Sequence, residues 1–203
     1  VERPSREVRK EAFLLFPFFP SGSLEDFLAR QRPAGPYLSE RQALLLLRGL
    51  ASALVGLHTA TPPLAHRDIK PHNVMLAPAD APEARAGRDL AAGAPLRASA
   101  PAPGETTAWR DSDPVPVLTD FGSVRPARRS APTRAAALAL MDEAAAECSM
   151  PYRAPELWEV PTPAGLTEKV DLFALGCTFY AAVFGFSPFE VAWSDDGSGR
   201  VVE

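Results

Sequence analysis

Apolar positions in this chain come in short blocks separated by proline- and glycine-rich breaks, and the period inside each block predicts its structure. Ala12 to Phe16 is a fully apolar run of strand length, stopped by Pro17 and by the Pro20-Ser21-Gly22 turn. Ser23 is placed to cap a helix after that turn, in which Leu24, Phe27 and Leu28 share one face. Ser39-Glu40-Arg41-Gln42 has capping-box spacing, and the helix it opens, to about His58, is apolar almost all round, which predicts burial. Two short runs, Val74-Met75-Leu76 and Val115-Pro116-Val117-Leu118, read as paired strands. Between them, residues 77–113 are alanine, proline, glycine and scattered charge without a period, which predicts a disordered or weakly helical insertion in a hairpin. Trp109, near the end of that insertion, is as readily an exposed side chain as a docked one.

Further on, Thr133 is positioned to cap a helix from Arg134 to about Glu147. Arg134 at its front and Glu147 at its back oppose the macrodipole, so this helix needs tertiary support. The last strong helix opens at Asp171 and runs to about Phe184. Leu172 to Phe189 is uncharged, yet the helix it can form ends near Gly185 and Pro188, a length that suits a buried core helix rather than a membrane span.

Composition narrows the class. The 203 residues fit one domain, or a large part of one, and the formal charge of −4, with no long basic run, implies no nucleic-acid partner. Cys148 and Cys177 are far apart without ligand-spaced companions, which argues against a zinc site and a disulfide framework and for a reducing, cytoplasmic setting. No secretory signal opens the chain, which also starts without methionine and is read as incomplete at that end.

The chemistry concentrates in His66-Arg67-Asp68-Ile69-Lys70-Pro71-His72-Asn73 and in Asp120-Phe121-Gly122. Phosphoryl transfer asks a protein for positioning and charge neutralisation, and two carboxylates, a lysine and an amide in this order supply both. Asp68 is expected to accept the proton of the attacking hydroxyl and Lys70 to lie against the transferring phosphoryl group. Asn73 and Asp120 offer hard oxygens to Mg2+ held on ATP phosphates. Asp-Phe-Gly alone is usually a turn, and His-Arg-Asp alone arises by chance; their order, each beside a strand, makes the signal specific.

On these residues the chain resembles the eukaryotic protein kinases. It is more narrowly similar to the Numb-associated kinase family, especially its myristoylated, Golgi-associated branch. The resemblance is carried by Leu14-Leu15-Phe16-Pro17-Phe18-Phe19 with Gly22-Ser23-Leu24, by Ala65-His66-Arg67-Asp68, by Cys148 to Glu156 ending Tyr152-Arg153-Ala154-Pro155-Glu156, and by Leu175-Gly176-Cys177. It implies an α+β, protein-kinase-like fold, with residues 12–22 as the last small-lobe strand and hinge, 23–203 as an incomplete large lobe, and 120–156 as the activation segment. It implies that the Pro17 carbonyl and the Phe19 amide face adenine, with Phe16 behind it and Met75 beneath it. Lys70 in its context points to serine or threonine acceptors on a protein substrate. Arg67 before Asp68 either pairs a phosphate on the segment, with Ser130 and Thr133 as acceptors, or only packs the loop. Asp171 is expected to accept hydrogen bonds from the backbone of the His66-Arg67-Asp68 loop. Golgi or other membrane association rests on the resemblance alone.

The departures lie near the ends. No glycine-rich loop precedes Ala12, no lysine sits in a Val-Ala-Ile-Lys-like strand, and no helix glutamate is there to pair with it. These imply a small lobe that is largely absent and a fragment inactive on its own; the stop soon after Phe189 implies that Glu156 is left a buried charge without the arginine that normally pairs with it. A piece of a complete kinase is one account; a pseudokinase or interaction module is the alternative. A small-molecule phosphotransferase is disfavoured by the Ala154-Pro155-Glu156 segment.

Overall fold

The computed structural model describes residues 17–31, 38–78, 114–193 and 199–201. The strand expected at Ala12 to Phe16, Phe16 itself, most of the 77–113 insertion and Trp109 lie outside them.

Helix α1 (Leu24–Gln31) begins where Ser23 caps it: the Asp26 amide donates to Ser23 Oγ (3.1 Å), and the Ser23 amide donates back to Asp26 Oδ2 (2.8 Å). Helix α2 (Glu40–His58) has the expected capping box, with reciprocal bonds between Ser39 and Gln42. It is not buried all round, however. Ala43, Leu46, Leu50 and Leu54 face the core, whereas Leu44 and Val55 are more than half exposed. An apolar composition fixed the helix, but which stripe is covered depends on neighbours.

Strand β1 (Leu64–Ala65) pairs antiparallel with β4 (Arg125–Pro126), and β2 (Val74–Ala77) with β3 (Val115–Leu118). Ala77 is therefore the last strand residue, opposite Val115, and not the first of the insertion. Helix α3 (Arg134–Glu147), capped by Thr133, is followed by the short α4 (Pro155–Trp158) and by α5 (Lys169–Phe184), which starts two residues before the expected Asp171. Gly185 ends α5 in the left-handed region at φ 86°, where a side chain would be strained. A last pair, β5 (Val191–Trp193) with β6 (Gly199–Val201), completes the described chain.

Two apolar clusters hold these elements. The larger joins Leu24 and Leu28 of α1, Leu50 and Leu54 of α2, Val74, Leu118, Ile69 and the buried face of α5. The second joins Leu140 and Ala144 of α3 to Leu157, Leu166 and Val170. Phe173 packs against both, and its ring stacks on Phe189 at 5.6 Å. The loop from His66 to Lys70 is held by Asp171 and Thr178 of α5, by Thr119 after β3, and by Glu143 of α3 with Ser149 just beyond it. Among the described residues no helix is long and apolar enough to cross a membrane.

Candidate active site

Asp171, with no exposed surface, anchors the loop from the start of α5. The amides of His66 and Arg67 donate to its two carboxylate oxygens, each at 2.8 Å, as the sequence led us to expect. His58, the last residue of α2, donates from Nε2 to Oδ2 at 2.8 Å, a third bond that the sequence did not announce. These bonds hold Arg67 at φ 72°, a left-handed conformation that costs a non-glycine residue free energy.

That backbone bend delivers Asp68. Its Oδ2 accepts from Lys70 Nζ (2.8 Å) and from Asn73 Nδ2 (3.0 Å), and its Oδ1 accepts from the Ser149 amide (3.0 Å). Burial pulls the Asp68 carboxyl upward, but the Lys70 ammonium and the two Ser149 bonds outweigh it and hold the group below the usual carboxylate range. Asp68 is thus an anion at neutral pH, suited to orienting a hydroxyl. Lys70 also donates to Ser149 Oγ (2.7 Å), which commits two of its three N–H groups and leaves one for a ligand. Asn73 donates from Nδ2 to the Asp68 carbonyl as well (2.8 Å), and this turns its amide oxygen to the opposite side.

Asp120 arrives by a different route. Thr119, just before it, bonds the Asn73 carbonyl through both its amide (2.9 Å) and its hydroxyl (3.1 Å). The Thr119 carbonyl accepts from His66 Nε2 (3.0 Å), and the His66 and Phe121 rings meet edge to face at 5.4 Å. Burial keeps His66 neutral by lowering its pKa, so the proton sits on Nε2. Asp120 itself has φ 60°; its exposed carboxylate accepts from the Gly122 amide (3.2 Å) and makes no hydrogen bond to the Asp68 cluster among the described residues.

Among the expected adenine contacts, Pro17 is exposed, Phe19 is buried and Met75 is half-buried. A β-bridge between Ser23 and Met75 and the bond from the Leu76 amide to the Gly22 carbonyl (3.0 Å) lay the 17–23 connector along β2. Asn73 and Asp120 fit Mg2+ as a donor set. Both offer hard oxygen, the donor type this ion takes alongside phosphate oxygens and water.

Ser149 was missed as a site residue because nothing local marks it; it lies 81 residues from Asp68 in sequence. Arg67 meets a partner neither expectation named: its buried guanidinium pairs with Glu143 and lies 3.8 Å from Glu147, both on α3. Thr133 caps the opposite end of that helix, roughly 15 Å of helical rise from Glu143. Glu156 is half-buried rather than the buried charge expected.

The protein kinase domain family matches residues 5–199. The chain is 32% identical over 193 residues to serine/threonine-protein kinase 16 of Mus musculus, covering 95% of this chain and 52% of that protein. It is 31% identical over 187 residues to serine/threonine-protein kinase ppk13 of Schizosaccharomyces pombe, covering 92% and 53%. With serine/threonine-protein kinase ENV7 of Saccharomyces cerevisiae the identity is 29% over 194 residues, covering 89% and 52%. The chain thus spans about half the length of the curated relatives it matches. The family match reaches back to residue 5, so it does not bear out a largely absent small lobe.

Proposed function

Because this chain belongs to the protein kinase domain family, we propose that the protein containing it transfers the γ-phosphoryl group of ATP to serine or threonine hydroxyls of protein substrates. The narrower likeness to the Numb-associated kinases agrees with the match to serine/threonine-protein kinase 16. In this reading residues 12–22 are a small-lobe strand and hinge, 23–203 belong to the large lobe, and 120–156 form the activation segment.

The observation that carries the proposal is the clamp on Asp68. A carboxylate held by a lysine, an amide and the Ser149 backbone is aimed before substrate arrives, so little reorganisation remains for the reaction. Asp68 orients the acceptor hydroxyl and takes its proton. Lys70, tethered by Asp68 and Ser149, turns its remaining N–H toward the phosphoryl oxygens. Asn73 and Asp120 would hold Mg2+, which supplies charge neutralisation on the phosphates. Pro17, Phe19 and Met75 lie along the connector and β2, where adenine is received.

The test is Asp120→Asn in the full-length protein, with radiolabelled phosphate transfer to a serine- or threonine-containing substrate as the readout. Loss of turnover with the fold intact by circular dichroism is the expected result. Undiminished transfer would contradict the assignment. Nucleotide binding without transfer by the unaltered protein would favour an interaction module built on the same pocket.

A further inference from the structure

Beneath the 17–23 connector lies a half-open cavity of about 500 Å3, within the range that receives a drug-sized molecule. Its walls include Leu24 and Phe27 of α1, Leu45 and Leu46 of α2, Leu76 of β2 and Pro116 of β3. Water is a poor occupant against these walls, since each molecule needs roughly two to four polar partners and these side chains offer none. An apolar group that displaces such water gains the free energy of leaving solvent. The cavity is also distinct from the adenine position of the kinase reading. Successive strand residues point to opposite faces, so Leu76 turns into the cavity while Met75, expected beneath adenine, turns away from it.

The polar groups on the open side are of one kind. Arg30 and Gln42 both line the cavity and both are exposed. Arg30 donates from Nη2 to the Ser21 carbonyl (3.0 Å), which leaves further guanidinium N–H groups for a ligand. Gln42 spends its Oε1 on the Ser39 amide and hydroxyl, each at 3.0 Å, so the end of its side chain that remains is the Nε2 donor. Asp26, one turn before Arg30 on α1, has its carboxylate oxygen on the Ser23 amide and hydroxyl, both at 2.8 Å. A guanidinium and an amide donor over an apolar recess match a molecule with an anionic end and an apolar body, because a charge-assisted bond forms at the rim while the body leaves water.

We propose that this cavity is a second ligand site, separate from the nucleotide pocket, which takes a small amphipathic acid: the apolar body lies against Phe27, Leu45 and Leu76, and the carboxylate meets Arg30 and Gln42. The site stands apart from the phosphoryl-transfer reading and does not depend on it.

The experiment titrates the full-length protein with anilinonaphthalene sulfonate, an anionic aromatic dye that fluoresces on leaving water, and displaces it with decanoate or with decanol, each with and without saturating Mg2+ and ATP. We expect decanoate to displace the dye at about tenfold lower concentration than decanol, with no change when the nucleotide is present. Arg30→Gln should abolish the preference for decanoate, and Leu45→Trp, which fills the cavity, should weaken both competitors and the dye by about tenfold or more. Equal displacement by decanoate and decanol, displacement of the dye by ATP, an unchanged preference in Arg30→Gln, or no dye binding at all overturns the proposal. Dye binding by Trp109→Ala but not by the unaltered protein also overturns it, since the chain's own insertion would then be the occupant. Should Leu45→Trp not fold, Arg30→Gln, a change at an exposed position, carries the comparison alone.

Discussion

Asp171 shows what one buried carboxylate does for this protein. It satisfies two buried backbone N–H groups where the loop bends at Arg67, for which no water can substitute, and a histidine side chain. Asp171→Ala leaves those donors unpaired in an apolar setting, so we expect a loss of about 2–4 kcal/mol in urea denaturation. A change below half a kilocalorie would show that the loop is held by other contacts. Residue identity made Asp171 legible in the sequence, as a charge too costly to bury at a helix start without partners. The His58 bond and Ser149 were not legible, since their partners lie 113 and 81 residues away and no period or spacing links them.

Helix α2 carries two glycines whose replacement should move stability in opposite directions. A Cβ on Gly49 would lie 2.4 Å from Pro116 Cγ of β3, whereas one on Gly56 meets nothing within 4 Å. Gly49→Ala should therefore cost about 1–3 kcal/mol through overpacking, and Gly56→Ala should stabilise by up to about 1 kcal/mol through helix propensity. Thermal denaturation of the two variants side by side checks both signs; a gain from both would mean that the α2–β3 contact is looser than it stands here. The existence and caps of α1, α2 and α3 were readable, because Ser23, Ser39 and Thr133 act on amides three residues away. The buried face of α2 was not, because Leu44 and Leu46 are equally apolar and only β3 and α5 choose between them.

For the molecule as a whole, the coupled charges predict how it responds to acid. His66 is held neutral by burial, so protonation favours the unfolded chain, and stability should begin to fall as pH drops below about 6.5. Glu143 is pulled upward by burial but held lower by Arg67 and Arg129, and Asp68 is likewise held low; what these two contribute is fully present above about pH 4 and is lost as pH falls through their folded values. Tm against pH should thus decline in two stages, and Glu143→Gln should reduce the second stage only; a single-stage curve unaffected by that substitution would contradict the assignment. Local chemistry determined the helices, the strand pair, the two motifs and the family, since caps, periods and short motifs act within a few residues. The tertiary fold alone decided which glutamates meet Arg67 and that Ser149 closes on Asp68, because those partners become neighbours only when burial leaves each charge no other place to be paired.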